Sequence, residues 1–155
     1  MRTMLIALIV TLGVGAAPTS GAIKNTCDLI TKAEMETVLG TPMRAPEPQI
    51  MGMCAYRSAG DHPYKSVTLS LGHEESRQEW EKHERGIDPD VKPTAVMGIG
   101  DAALLWSRVL DARLSFIKGK TTLSMVINVG KMMPPTAETL PVARRLGEIA
   151  APRLP

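Results

Sequence analysis

Residues 110–129 read LDARLSFIKGKTTLSMVINV, and this stretch predicts the long β-hairpin that decides the fold. Gly119-Lys120 is the predicted turn, because a Gly-x pair suits a type II′ turn, whose first central residue has a positive φ. Counting outward from this turn places Lys118 opposite Thr121. The same count gives further directly opposed pairs, which share a face of the sheet: Phe116 with Leu123, Leu114 with Met125, Ala112 with Ile127 and Leu110 with Val129.

The two faces of this hairpin differ in polarity. Every residue of those further pairs is apolar, so their face is expected to lie on a core. A slip of one residue would exchange the two faces, and the register is therefore well specified. Ile117 and Val126 interrupt the polar face, where they are expected either to mark a contact surface or to be covered by a helix. The polar face supplies the candidate contact face: Arg113, Ser115, Ile117, Thr122, Ser124 and Val126.

The remaining pattern predicts an α+β domain. Thr31 and Glu34 form a capping box at the start of a helix, and Trp80 is the one large apolar residue of a polar helical segment. We expect an antiparallel sheet of about five strands with helices packed on one face, in the order α-β-β-α-β-β-β-α. The predicted elements are a helix over 32–39, strands over 53–58 and 66–72, a helix over 74–85, a strand over 102–106, the hairpin, and a helix over 139–150.

The first 22 residues are typical of a secretory signal peptide. Arg2 supplies a positive charge, and the apolar run over 4–15 is shorter than the roughly 20 residues that span a bilayer. Small residues then permit cleavage after one of three alanines, of which we favour the last: Ala16, Ala17 or Ala22. The sequence therefore predicts a signal peptide at 1–22 and a single exported domain at 23–155, located in the periplasm or secreted.

The net charge and the lengths of the apolar runs exclude some classes of partner. Removal of residues 1–22 takes away Arg2 and no acidic residue, which lowers the formal charge of +2 by one. This balance gives no electrostatic basis for binding nucleic acid or an anionic membrane. No second apolar run approaches the length of a membrane span, so we expect no transmembrane segment in the mature chain.

The two cysteines, Cys27 and Cys54, are predicted to form a disulfide bond. Export places them in an oxidising compartment, where an even pair of cysteines is typically bridged. The alternatives are a reactive thiol or a metal ligand, and no histidine or further cysteine lies near either residue in sequence. In the chain-entropy model a loop of this size contributes about 3–4 kcal/mol to stability.

Several short motifs together resemble a family of uncharacterised small exported bacterial domains, many of which are lipoproteins. The first matching stretch is Cys27 to Gly40, in which Leu-Ile-Thr follows soon after the cysteine and the helix ends on Leu-Gly. The other matching stretches are Cys54-x-Tyr56, Gly98-Ile-Gly-Asp-Ala-Ala103 and Leu114-x-Phe116-x-Lys-Gly119. The resemblance covers nearly all of 27–154 and implies an exported α+β domain with a disulfide and no assigned catalytic residues. This chain departs from the lipoprotein members because Lys24-Asn25-Thr26 before Cys27 does not form a lipoprotein cleavage signal.

Two groups of side chains suggest a metal. Thioethers are soft ligands that suit Cu(I), and three methionines precede or begin the first predicted strand: Met43, Met51 and Met53. Methionine also fills cores in which aromatic residues are scarce. A zinc set of His73, Glu79 and His83 lacks a fourth ligand. We therefore expect no metal and no cofactor, with copper kept as the alternative.

Gly98-Ile99-Gly100-Asp101 is the remaining motif of interest. Its backbone amides are candidates for binding an anion, but a phosphate loop has a longer glycine spacing, a following helix and usually a lysine. The stretch instead precedes a predicted strand, and Asp101 would repel a phosphate. We expect a tight turn in which Asp101 caps its own backbone.

The sequence favours a non-enzymatic function. No serine lies in a nucleophile elbow, and the acidic residues lie mainly on polar faces. The predicted function is an exported, disulfide-stabilised binding or interaction module of the bacterial envelope, whose partner is an envelope protein or a small ligand. The alternatives are a methionine-based copper or metal handling protein and a hydrolase whose site is not visible in the sequence.

Overall fold

The computed structural model describes residues 25–60, 64–132 and 136–155. Its helices are α1 (Lys32–Leu39), α2 (Arg77–Ile87) and α3 (Thr136–Ala150). Its strands are β1 (Glu47–Pro48), β2 (Cys54–Arg57), β3 (Ser66–His73), β4 (Thr94–Ala95), β5 (Ala102–Ser107), β6 (Ala112–Lys118) and β7 (Thr121–Asn128). The predicted signal peptide at 1–22, with its candidate cleavage sites, lies outside the described residues.

The described strands form one antiparallel sheet of seven strands in the order β1-β2-β3-β7-β6-β5-β4. The α+β class is confirmed, and the predicted strands and helices occur in the predicted order. The prediction of about five strands missed β1 and β4 at the two edges of the sheet. Each has two residues, which is too short a stretch to show the alternation that identifies a strand.

The β6–β7 hairpin has the predicted register along its paired length. Phe116 lies opposite Leu123 and Leu114 opposite Met125. Gly119 has a φ of 60° in the turn. The predicted pairing of Leu110 with Val129 is wrong, because β6 begins at Ala112 and β7 ends at Asn128. Leu110 is instead 59% exposed, in a turn closed by a 2.8 Å hydrogen bond from the Arg108 N–H to the Asp111 carbonyl oxygen.

One face of the sheet is closed by α1 and α3, and the residues buried there form what we call the main core. Met35 and Leu39 of α1 and Leu146 of α3 pack in the same cluster as the apolar face of the hairpin. On this face, therefore, helices pack against the sheet as predicted. The largest fully buried side chains of the main core include Leu29, Ile30, Met35, Tyr56, Leu69, Ile99, Leu105, Leu114 and Phe116.

The opposite face of the sheet is covered in part by α2, so the prediction that the helices pack on one face is wrong. Trp80 of α2 packs in a separate cluster with Leu104 and Trp106 of β5 and Ile117 of β6. We call this cluster the satellite core. The sequence of α2 predicts a surface helix held by Trp80, which is confirmed, but a single tryptophan does not indicate which sheet face the helix covers.

Helix α1 begins and ends as its sequence predicts. The Glu34 N–H donates to the Thr31 side-chain oxygen at 3.3 Å, and the Thr31 N–H donates to the Glu34 carboxylate at 2.8 Å. Gly40 follows the helix in the left-handed conformation, with a φ of 62°. The capping box therefore stabilises the first turn of α1 through two reciprocal hydrogen bonds.

The C-terminal end of the chain is tied to the start of α1. Arg153 donates to the Glu34 carboxylate at 2.9 Å and to the Leu29 carbonyl oxygen at 2.7 Å. The hydrogen bond from Arg153, together with the amide and hydroxyl of Thr31, lowers the pKa of Glu34 to about 2. The first and last parts of the described chain are thus joined on the main-core side.

Cys27 and Cys54 form the predicted disulfide bond, with their Cα atoms 5.1 Å apart. The bridge joins the turn that precedes α1 to the first residue of β2. Beside it, the Tyr56 hydroxyl donates to the Ile30 carbonyl oxygen and lies 3.0 Å from the Cys27 carbonyl oxygen. Burial, with smaller contributions from nearby carboxylates, raises the pKa of Tyr56 to about 12, so this hydroxyl stays protonated as a donor.

Candidate functional site

The strands β3 and β7 present the part of the second sheet face that lies beside α2. Thr68 of β3 is directly opposite Val126 of β7, and Ser70 is opposite Ser124. Each of these side chains is partly exposed. Thr122 continues the same face toward the hairpin turn, since it lies two residues from Ser124 on β7. We call Thr68, Ser70, Thr122, Ser124 and Val126 the open half-face.

The predicted contact face is divided between this surface and the satellite core. Ser115 and Ile117 are fully buried, whereas Thr122, Ser124 and Val126 are partly exposed. Of the two alternatives for the apolar residues, coverage by a helix is correct for Ile117, which packs against Trp80 of α2. A contact role for Ser115 and Ile117 in the folded protein would therefore require α2 to move.

Arg113 lies at the boundary between the open half-face and α2. Its Nε donates to the Ser124 Oγ at 2.9 Å, and its Nη2 lies 2.9 Å from the Glu84 carboxylate of α2. The guanidinium carbon lies 5.5 Å from the ring centroid of Trp106. The side chains of Arg113 and Glu84 are only 11% and 6% exposed. A buried charge is tolerated when it has such partners, so this pair fixes α2 to the sheet.

Polar satisfaction at this boundary is incomplete within the described residues. The Trp80 indole N–H donates to the Ser115 Oγ at 3.2 Å, but the buried Trp106 indole nitrogen and Glu84 Oε2 have no hydrogen-bond partner. Glu84 Oε2 has an ion-pair contact with Arg113 that lacks hydrogen-bond geometry. An unpaired buried donor or acceptor costs about 1–3 kcal/mol. Burial of the Trp106 N–H in the satellite core without a partner among the described residues therefore weakens the contact of α2 with the sheet.

Glu84 and Trp106 belong to this site but were not predicted from the sequence. The available signal was the spacing of Trp80 and Glu84, which lie four residues apart and so share one side of a helix. The partner of Glu84 was not available from the sequence, because Arg113 lies 29 positions away on a strand.

The three candidate copper ligands do not come together. Met43 is 2% exposed and packs in the main core, where its backbone bridges to Ser58. Met51 and Met53 instead line a cavity of about 370 Å³ beside the β1–β2 loop. Met51 is 89% exposed and has a φ of 58°, which is uncommon for a residue with a side chain. A thioether site at this loop would rest on two methionines rather than three.

The two histidines of the candidate zinc set have different partners. His83 Nδ1 lies 2.7 Å from a Glu74 carboxylate oxygen, and His73 Nε2 lies 3.5 Å from Glu75. The Glu79 carboxylate accepts from the Ser76 hydroxyl at the start of α2. Among the residues that the structure describes, no group of three or more histidine, cysteine, aspartate or glutamate side chains is arranged to hold a metal.

The prediction that Asp101 caps the backbone of its own turn is wrong. Its carboxylate accepts from the Gly119 N–H at 2.7 Å, and its own N–H donates to the Ile117 carbonyl oxygen at 2.7 Å. The loop is therefore fastened to the hairpin turn. The distance in sequence hid this contact, since Gly119 lies 18 residues beyond Asp101.

No protein-family model, curated protein or solved structure matches this chain. The resemblance to exported bacterial domains stays a prediction, and so does the absence of enzymatic activity. Over the described ranges, none of the helices has the length and apolarity needed to cross a membrane.

Proposed function

We propose that this protein is a non-enzymatic binding module of the bacterial envelope and that it recognises an envelope protein through the open half-face. The observation that carries the proposal is a partly exposed, uncharged surface of hydroxyl groups that continues directly into a buried polar network. Ser124 belongs to both, because its hydroxyl accepts from Arg113. Hydroxyl groups both donate and accept hydrogen bonds, so such a surface suits the recognition of a polar partner.

Preorganisation supports the same proposal. Ser70 and Ser124 lie on adjacent central strands, and Arg113 holds the Ser124 hydroxyl at 2.9 Å. Side chains on strands whose rotamers are already fixed lose little conformational entropy when a partner binds. Val126 adds an apolar contact within the polar surface, which is typical of protein interfaces.

Site-specific photo-crosslinking in an exporting host tests this function. A photoreactive residue at Ser124 is expected to give a discrete adduct with an envelope protein, and the same residue at Lys82, exposed on α2, is the matched control. In the same background, Ser70→Arg is expected to remove the adduct without changing the thermal melt. Equal adducts at both positions, or an adduct that survives Ser70→Arg, would contradict the proposal.

We also propose export to the periplasm or cell exterior, with residues 1–22 removed as a signal peptide. The disulfide between Cys27 and Cys54 supports this location, because such bonds persist in oxidising compartments. N-terminal sequencing of the protein recovered from an exporting host would distinguish cleavage after Ala16, Ala17 or Ala22. An intact Met1 would contradict export by this route.

A second candidate function is Cu(I) handling by Met51 and Met53, which line one cavity. Thioether sulfur is a suitable soft ligand for Cu(I). Titration against a chromophoric Cu(I) chelator is the test, with Met51→Leu plus Met53→Leu as the variant and Met97→Leu, another exposed methionine, as the control. Uptake that is absent at micromolar copper, or unchanged in the double variant, would exclude this function.

A further inference from the structure

A second cavity, of about 280 Å³, lies on the main-core side of the molecule, away from the open half-face. It is formed by the loop before β5, the end of β6, the last turns of α3 and the turn that follows α3. Its charged lining is mixed, with two carboxylates and one ammonium group. The residues that matter here are Gly98, Gly100, Asp101, Lys118, Glu148 and Pro152.

The loop side of this cavity is held rigidly. Gly100 has a φ of 55°, and a Cβ atom there would lie 2.4 Å from the Ile117 carbonyl oxygen, so glycine is required for this close approach. The neighbouring Ile99 packs against α3 so closely that a Cβ on Gly147 would lie 2.6 Å from it. The Asp101 carboxylate is fixed on this framework by the Gly119 N–H.

The charged groups around the cavity retain unused hydrogen-bonding capacity. Lys118 donates one hydrogen bond to the Leu154 carbonyl oxygen at 2.6 Å, and an ammonium group has two further N–H donors. Asp101 uses one carboxylate oxygen in its bond to Gly119, which leaves the other. The Glu148 carboxylate lies 3.6 Å from the Arg145 guanidinium, and both side chains are exposed. Within the described residues, no ion pair joins Lys118 to either carboxylate.

Opposite charges that line one cavity without pairing favour a ligand that carries both a positive and a negative charge. An anion alone would meet Asp101 and Glu148, and a cation alone would meet Lys118. A zwitterion satisfies both, with its ammonium group at the carboxylates and its carboxylate at Lys118. The volume of about 280 Å³ lies just below the usual range for small-molecule sites, which begins at about 300 Å³, and this fits a ligand no larger than an amino acid or a dipeptide.

We propose that this cavity binds a small zwitterion, either a free α-amino acid or a short peptide, between Lys118 on one side and Asp101 and Glu148 on the other. The two sources share the same end groups and differ in the separation of their charges. In a free amino acid the ammonium and carboxylate groups are attached to the same carbon, whereas in a dipeptide one further residue separates them.

Two-dimensional NMR titration of the ¹⁵N-labelled protein tests this proposal with glycine and diglycine as probes. Saturable shifts are expected at the amides of Gly98, Gly100 and Gly119, with the tighter of the two probes identifying the source. N-acetylglycine lacks the ammonium group and glycinamide lacks the carboxylate, so each is expected to bind at least tenfold more weakly than glycine.

Matched variants separate recognition from folding. Glu148→Gln and Asp101→Asn are each expected to weaken the better probe at least fivefold, and Glu138→Gln, on the same helix α3 but outside the cavity, is expected to leave binding unchanged. Glu148 is exposed on α3, so its substitution is expected to leave the spectrum of the free protein folded.

Three results would overturn the proposal. The first is an absence of shifts with both probes at concentrations well above about 1 mM, a dissociation constant that corresponds to only about 4 kcal/mol of binding free energy. The second is equal binding of the acetylated or amidated probe. The third is unchanged binding in Glu148→Gln and Asp101→Asn.

Discussion

The two faces of the same sheet are packed in unequal ways. On one face, α1 and α3 close over a continuous main core that includes residues from most of the strands and is reinforced by a disulfide. On the other, α2 covers part of the sheet through four buried apolar residues and one buried ion pair. The main core therefore defines the fold, whereas α2 is an added layer held by a few specific contacts.

This difference bears on function because the open half-face lies beside the weaker layer. A partner that binds Ser124 also meets Arg113, which contacts Glu84 of α2. Binding on the sheet is therefore expected to affect the attachment of α2 directly.

The sharpest comparison is between Leu114 and Ile117, two fully buried residues of β6 that point to opposite faces. Leu114→Ala is expected to lower the free energy of unfolding by about 4–5 kcal/mol, and Ile117→Ala by about 2 kcal/mol, because α2 can settle into the smaller cluster. Denaturant unfolding of both variants measures the difference. Equal losses, or a greater loss for Ile117→Ala, would break the distinction between the two layers.

Removal of the disulfide should lower the free energy of global unfolding and leave the local attachment of α2 unchanged. Cys27→Ser combined with Cys54→Ser is expected to cost about 3 kcal/mol, since the bridge restricts the unfolded chain. Hydrogen exchange should then speed up in the sheet more than in α2, if α2 exchanges through the local opening expected of it. Chemical denaturation of oxidised and reduced wild-type protein is the control, and no change in its midpoint would refute the expected stabilisation.

The two tryptophans of the satellite core test the role of polar contacts there. Trp80→Phe removes a donor that is bonded to Ser115, whereas Trp106→Phe removes an N–H with no partner in the described part of the chain. The two changes delete the same atoms, so Trp80→Phe is expected to cost about 1–2 kcal/mol more. Thermal melts of both variants provide the measurement, and a larger loss for Trp106→Phe would contradict this assignment.

The smallest effect is expected at the ion pair between Glu34 and Arg153. The pKa of Glu34 falls from 4.5 to about 2 on folding, so its contribution is fully present above pH 4.5 and is lost as the pH falls toward 2. Because the pair is partly exposed, the loss in Glu34→Gln at neutral pH should be about 0.5–1 kcal/mol.

Melting curves of wild type and Glu34→Gln across this pH range give the test, and the gap between them should close toward pH 2. Glu138→Gln removes a more exposed contact with Lys131 and serves as the control. A gap that widens on acidification would show that the sign of the linkage is wrong.

Local sequence patterns predicted those parts of the fold whose determinants lie close together in the chain. The hairpin register follows from one turn and a period of two, and the bounds of α1 follow from Thr31, Glu34 and Gly40. The same local patterns did not predict β1 and β4 or the sheet face that α2 covers. Which face a mostly polar helix covers depends on distant strands, and two-residue strands exist only through their pairing.

The candidate site was predictable to the same extent. Alternation identified Ser124 and Val126 as one side of the hairpin, but only the fold reveals that Arg113 forms a buried ion pair with Glu84 and that Ile117 is covered. The cavity at Asp101 was hidden for a similar reason. Its three charged residues come from a loop, a strand and a helix that are far apart in sequence.

Native-state hydrogen exchange, measured over a series of low denaturant concentrations, tests most directly whether α2 is less stable than the main core. We expect the amides of α2 (Arg77–Ile87) to exchange through a local opening, with a free energy below that of β6 and β7 and little dependence on denaturant. Exchange of α2 with the same free energy and the same denaturant dependence as the central strands would contradict this expectation, because the molecule would then unfold as one unit.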